Sequence, residues 1–178
     1  MLGDNAKQYA TALYHYRNLP EVAEFQEWTP ETVTEVEILI AGQGTSFLKL
    51  PGQFYQWGIF LKHEQASLIG DFGVSCKPDQ AGLVEFGIAL DPAYQHQGYA
   101  TEALWHLLDY LFRKQGIYRV IASVDPDNQA SMQLMQRVGF RQEAHHIRSY
   151  PFRGRMADDI VFALLAEEWP PSPWEGQV

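Results

Sequence analysis

The chain has 178 residues, 46% of them hydrophobic, which suits one compact domain and excludes a disordered or fibrous class. Asp and Glu number 22 against 13 Lys and Arg, and the net charge of -9 excludes broad binding along a nucleic-acid backbone. That charge suits encounter with a cationic small molecule or a basic protein terminus, and it is also common in acidic cytosolic enzymes. The single cysteine, Cys76, excludes an internal disulfide and a cysteine-based zinc site; it reads as structural, with a catalytic thiol as the alternative. The first residues lack the basic and long apolar parts of a signal peptide, and no apolar run approaches the ~20 residues of a bilayer span. A cytoplasmic protein with no membrane contact is expected.

Taken in chain order, residues 5–17 read as a helix, with Ala6, Tyr9, Leu13 and Tyr16 at helical spacing. Pro20 opens a short helical turn through Phe25. Thr29, Pro30 and Glu31 give a cap, a first-position proline and a first-turn acid for the next helix. Its buried stripe is Val33, Val36 and Ile40, and Gly42 and Gly44 end it. Residues 57–62 and 67–75 read as a hairpin around His63, Glu64 and Gln65. A turn over 77–82 follows, then a third strand over 83–90. Residues 100–115 put Leu104, Leu107, Leu108 and Leu111 on one helical face and stop at Gly116. A strand over 117–124, a helix over 128–138 ended by Gly139, and strands over 142–149 and 159–165 complete the pattern. The proline-rich tail, 170–178, continues no element. The expectation is one α+β domain over 1–178 with its core at about 6–169. Its mixed, mostly antiparallel sheet would open a cleft where it turns from antiparallel to parallel.

The loop Asp91-Pro92-Ala93-Tyr94-Gln95-His96-Gln97-Gly98-Tyr99-Ala100-Thr101 joins the third strand to the long helix. Gly98 admits a ligand close to the backbone, and the first amides of the helix, with its dipole, can hold a pyrophosphate without lysine. No Gly-Lys-Ser/Thr sequence follows, so an ATP-binding P-loop is disfavoured. An ordinary strand-to-helix turn is the plain alternative.

In context the loop is more specific. Gln95-x-x-Gly98-x-Ala100, followed by Asn128, Ser131 and Gly139-Phe140, resembles the pyrophosphate signature and second half of the GNAT superfamily of N-acetyltransferases. Tyr14-His15-Tyr16-Arg17, Pro20-Glu21-Val22 and Phe25-Gln26 resemble the first helices of its RimJ/RimL ribosomal-protein-alanine acetyltransferase branch. That branch usually starts with a strand ahead of the first helix. Only residues 1–5 stand there, so a missing edge strand is expected, and with it a possible homodimer.

The resemblance implies a GNAT fold with helices on both sheet faces and a strand splay holding acetyl-CoA. It places the pantetheine arm beside Ile88, Ala89 and Leu90, and the pyrophosphate at Gln95, His96, Gln97, Gly98, Tyr99, Ala100 and Thr101. Asn128 is expected on the arm, in addition to its helix-capping role. Ser131, one turn later, is the candidate partner of the thiol. Glu85, a carboxylate inside an apolar strand, is the candidate base, with a solvent-facing carboxylate as the alternative. Phe25, Gln26, Trp28 and Tyr150 are candidate acceptor-pocket residues, with a core aromatic cluster as the alternative for the first three, and Tyr94 and Tyr150 are weaker candidates for the acid. His145 and His146 point to opposite strand faces, and no metal site is expected. The implied activity is acetyl transfer from acetyl-CoA to a primary amine on a protein N-terminus, an amino acid or a small molecule. A silent acyl-CoA-binding domain is the runner-up, and a nucleotide-binding protein is third.

Overall fold

The computed structural model describes residues 6–43, 52, 54–62, 64–77 and 80–171. Asn5, Gly44, His63, Pro78, Asp79 and the tail from Ser172, where turns or ends are expected, lie outside the described residues, as do residues 1–4.

Three helices come first. α1 (Ala6–Arg17) buries Ala10, Leu13, Tyr16 and Arg17, spaced by three and four so that they share one face. α2 (Pro20–Ala23) is opened by Pro20, where the missing N–H costs nothing. α3 (Val33–Gly42) starts later than the sequence reading placed it. Its cap is Thr32, which accepts from Glu35 N at 3.2 Å, rather than Thr29. Glu35 in turn accepts from Glu31 N at 2.8 Å, so Thr32 and Glu35 bracket the helix start. The winning signal was Thr-x-x-Glu, which Thr29 lacks. Pro30 is buried ahead of the helix instead, with its carbonyl accepting from Asn18 Nδ2 at 3.0 Å.

The sheet contains β1 (Phe54–Leu61), β2 (Glu64–Cys76), β3 (Leu83–Leu90), β4 (Arg119–Val124), β5 (Arg141–Phe152) and β6 (Arg155–Leu165), in the order β1-β2-β3-β4-β6-β5. Among the described residues only the β3–β4 pair is parallel, so the mixed, mostly antiparallel sheet is as expected. The last two strands run longer than their sequence pattern suggested. β5 is an edge strand that is exposed almost throughout, so it lacks the alternation of a half-buried strand. It turns into β6 through Arg153 and Gly154, with φ of 48° and 77°, the left-handed pair that a two-residue hairpin needs.

α4 (Tyr99–Asp109) runs into a π-type turn at Tyr110–Lys114, and α5 (Gln129–Val138) ends at left-handed Gly139. Leu104, Leu108, Met135 and Phe140 pack on Phe72, Phe86 and Phe162 in the larger core, on one sheet face. Leu13, Tyr16, Val36 and Ile40 pack with Leu68 and Ala89 in a smaller core on the other. Helices therefore cover both faces. Among the described residues no helix is long and apolar enough to cross a membrane.

Candidate active site

β3 and β4 pair only at Leu83↔Arg119, Val84↔Val120 and Glu85↔Ile121. Beyond Glu85 they diverge, because β4 stays paired with β6 up to Val124↔Ile160 while β3 stays paired with β2 up to Leu90↔Gly70. Ile88, Ala89 and Leu90 therefore have a strand partner on the β2 side and none on the β4 side. They form the floor of a cavity of about 470 Å³, within the usual range for a small-molecule site.

The loop after β3 forms the mouth of that cavity. Asp91 accepts from Ala93 N at 2.9 Å and starts a single 3-10 turn, Pro92–Tyr94. The backbone then takes two left-handed positions, His96 at φ 59° and Gly98 at φ 90°, with Gly98 as the cap of α4. Only glycine holds the second without strain. Successive amides in such a path form a concave anion nest, and the first amides of α4 have no partner inside the helix. Gln95, His96, Gly98, Ala100 and Thr101 line the cavity. The Gln95 side chain donates to Leu90 O at 3.0 Å, so it braces the loop against the end of β3. Gln97 and Tyr99 do not line the cavity. Gln97 donates to Ala93 O at 2.9 Å, and the Tyr99 ring packs on Tyr94, with centroids 6.3 Å apart.

α5 forms the facing wall. Asn128 caps it by accepting from Ser131 N at 3.0 Å, and both residues line the cavity. Ala130, Gln133, Leu134 and Arg137 line it too, at the i, i+3, i+4, i+7 spacing of one helical face. That spacing was available in the sequence and was missed. Arg137 is the most consequential of them: it donates to Thr101 Oγ1 at 3.4 Å and places a cation beside the amide nest.

The other end is closed by α2 and the segment after it. Glu21, Val22, Phe25 and Gln26 line the cavity. Trp28 does not; its Nε1 donates to Glu35 Oε1 at 2.8 Å and its ring lies 5.3 Å from the Arg17 guanidinium carbon. Tyr150 also lies off the lining, against Phe152 at 5.9 Å. Burial, and then the charges of Asp125 and Asp159, raise its phenol pKa.

Glu85 is half-buried at the last paired position before the splay and outside the cavity lining. It is ion-paired with Lys77, and Ser123 Oγ lies 3.3 Å from its Oε1. The same hydroxyl lies 3.4 Å from Asp159 Oδ2 on β6. Burial raises the Asp159 pKa above the ordinary carboxylate value, and the nearby Glu85 charge adds to the rise. His145 and His146 do face opposite sides of β5, opposite Ile160 and Asp159.

Diverging strands with an amide nest at their mouth and a helical wall opposite define an α+β fold with a cleft between two strands, its mouth suited to an anion. The acetyltransferase (GNAT) domain model matches residues 5–141, and the chain belongs to that family. Over 162 residues it is 32% identical to the uncharacterized N-acetyltransferase p20 of Bacillus licheniformis, spanning 90% of this chain and 89% of that protein. It is 26% identical over 110 residues to the spermidine N(1)-acetyltransferase of Escherichia coli (strain K12), 55% of this chain and 59% of that one. Its fold matches that of Mycobacterium smegmatis RimJ in complex with CoA-disulfide at a TM-score of 0.78 and 23% identity, covering 93% of this chain and 81% of that one.

Proposed function

We propose that the protein transfers the acetyl group of acetyl-CoA to a primary amine, carried by a protein N-terminus, an amino acid or a small molecule. The observation that carries this reading is the continuity of one cavity, from the amide nest at 96–101, past the unpartnered edge of Ile88–Leu90, to Phe25 and Gln26. A pyrophosphate at one end and a thioester beside β3 leave the acetyl group facing the end closed by α2. Asn128 contacts the pantetheine arm in this reading.

The amine nitrogen attacks the thioester carbonyl, the carbon–sulfur bond breaks, and two protons must be handled. Glu85 takes the proton lost by the amine through intervening water, since it stands back from the cavity wall. Ser131 relays a proton from solvent water to the leaving thiolate in one concerted step, so that its hydroxyl is replaced as it gives, and Glu85 returns its proton to solvent after product leaves. An amide of β3 near Leu90 polarises the carbonyl as it becomes anionic.

One observation favours a second reading, an acyl-CoA-binding domain without turnover: Glu85 is held by Lys77 and lies off the cavity lining. One measurement separates the readings. Acetyl-CoA at saturation raises the melting temperature under both. Only the first gives free thiol that depends on an added amine, tested on peptides, amino acids and polyamines; the spermidine enzyme among the relatives puts a polyamine on that panel.

A further inference from the structure

Asp71 of β2 is fully buried and sits opposite Ala89, a cavity residue, in the β2–β3 register. Its carboxylate accepts from Tyr16 Oη and Gln56 Nε2, from Arg17 Nε at 3.1 Å and from Arg17 Nη2 at 2.5 Å. Tyr16, Arg17 and Gln56 are themselves buried. Burial and the Asp71 charge push the Tyr16 phenol well up, so it remains a donor. For Arg17, burial works downward but Asp71 outweighs it and raises the pKa, so the guanidinium stays charged. A buried ion pair of this kind is weak evidence for stability, because a well-packed apolar replacement does as well. What it secures is orientation.

The orientation reaches the cavity through one bond. Arg17 Nη1 donates to Gln26 Oε1 at 3.3 Å, and Gln26 lines the acceptor end of the cavity. A guanidinium has donors only, so the amide must turn its oxygen to Arg17 and its NH2 group away. We infer that Arg17, anchored by Asp71, is a positioning residue that fixes Gln26 as a hydrogen-bond donor at the acceptor end of the cavity. A donor there serves a carbonyl oxygen and repels an ammonium. That oxygen belongs either to the thioester acetyl group or to the acceptor molecule. The inference deepens the acetyl-transfer reading and uses it for its kinetic test.

The test compares Gln26→Glu, Gln26→Leu, Arg17→Met and the Arg17→Met/Gln26→Leu double variant. Gln26→Glu keeps a partner for Arg17 but removes the donor. Both Gln26 variants should lower kcat/KM by roughly tenfold or more, the scale of one lost hydrogen bond, with acetyl-CoA Kd within about twofold of wild type. A fall in kcat with every amine assigns the thioester carbonyl. A rise in KM confined to amino-acid amides, with a simple diamine unaffected, assigns the acceptor oxygen. Arg17→Met should match Gln26→Leu, and the double variant should be no worse than either, because Arg17 acts through Gln26. Wild-type kinetics for Gln26→Glu, or additive losses in the double variant, overturn the inference. If Arg17→Met fails to fold, the two Gln26 variants still decide, since they leave the buried pair in place.

A readout without turnover separates this from the acetyl-transfer reading. The Gln26 side-chain NH2 resonances, identified by their loss in Gln26→Leu, should shift on titration with CoA plus an N-acetylated amino-acid amide. Unchanged resonances at saturation overturn the donor assignment. Shifted resonances in a protein that releases no thiol with any amine leave it standing and reject turnover.

Discussion

Glu85 and Asp159 approach the same hydroxyl from opposite sides, 3.3 Å and 3.4 Å from Ser123 Oγ. The serine has one proton, so it can donate to only one carboxylate at a time. Glu85 also has Lys77, which leaves Asp159 the less compensated of the two. In the acetyl-transfer account Glu85 is the base. Glu85→Gln should therefore lower kcat/KM by about 10²- to 10⁴-fold while acetyl-CoA binding, read by calorimetry, is kept. If Asp159→Asn gives that loss and Glu85→Gln does not, the base belongs to β6.

Asp159 also makes a stability prediction with a definite sign. Its pKa is raised in the folded protein, so the folded state holds the proton more tightly than the unfolded state does. The contribution of the protonated group is complete below the ordinary value of 3.8 and is lost as pH rises through the raised pKa. At neutral pH wild type lacks it altogether. Asp159→Asn should melt higher than wild type at about pH 7, and the gap should close toward about pH 4. A gap that widens on acidification would contradict the shift.

Arg137 is exposed and touches only the rim of the site, so its loss should leave stability within about 0.5 kcal/mol. Beside an amide nest its charge acts on phosphate. Arg137→Ala should raise the KM for acetyl-CoA several-fold, and the difference should shrink as salt rises. An unchanged KM at low salt would remove Arg137 from the phosphate end.

Asn128 has two separable roles. Asn128→Ala should cost about 1 kcal/mol of stability through the lost cap. Asn128→Asp keeps an oxygen for Ser131 N and should melt near wild type. It loses the side-chain NH2 donor, however, and should bind acetyl-CoA more weakly. Equal acetyl-CoA affinity in Asn128→Asp and wild type would confine the residue to capping.

These residues also mark what the sequence could and could not reveal. The strand-to-helix loop over 91–98 was legible because its signals are local: a strand ending at Leu90, a glycine in a left-handed position and a helix with a clear apolar face. Asn128 was legible for the same reason. The start of α3 was misplaced although Thr32 and Glu35 carried the better capping pattern, because the proline after Thr29 drew the boundary forward. The Arg137 face was legible in principle from its spacing. The Arg17–Asp71 pair was not: 54 residues separate its members, and only the packing of α1 on β2 brings them together. The off-cavity placement of Glu85 is also non-local, set by the pairing limit of β3 with β4, whereas that of Trp28 follows from its hydrogen bond to Glu35, seven residues on.

The central claim is that one cavity holds acetyl-CoA and delivers its acetyl group to an amine. Release of free thiol from acetyl-CoA, followed against increasing concentrations of peptide, amino-acid and polyamine acceptors, tests it most directly. The account predicts release that saturates in both acetyl-CoA and at least one amine. Release no faster than the acetyl-CoA blank across the whole panel, from a protein that acetyl-CoA stabilises against melting, would contradict it.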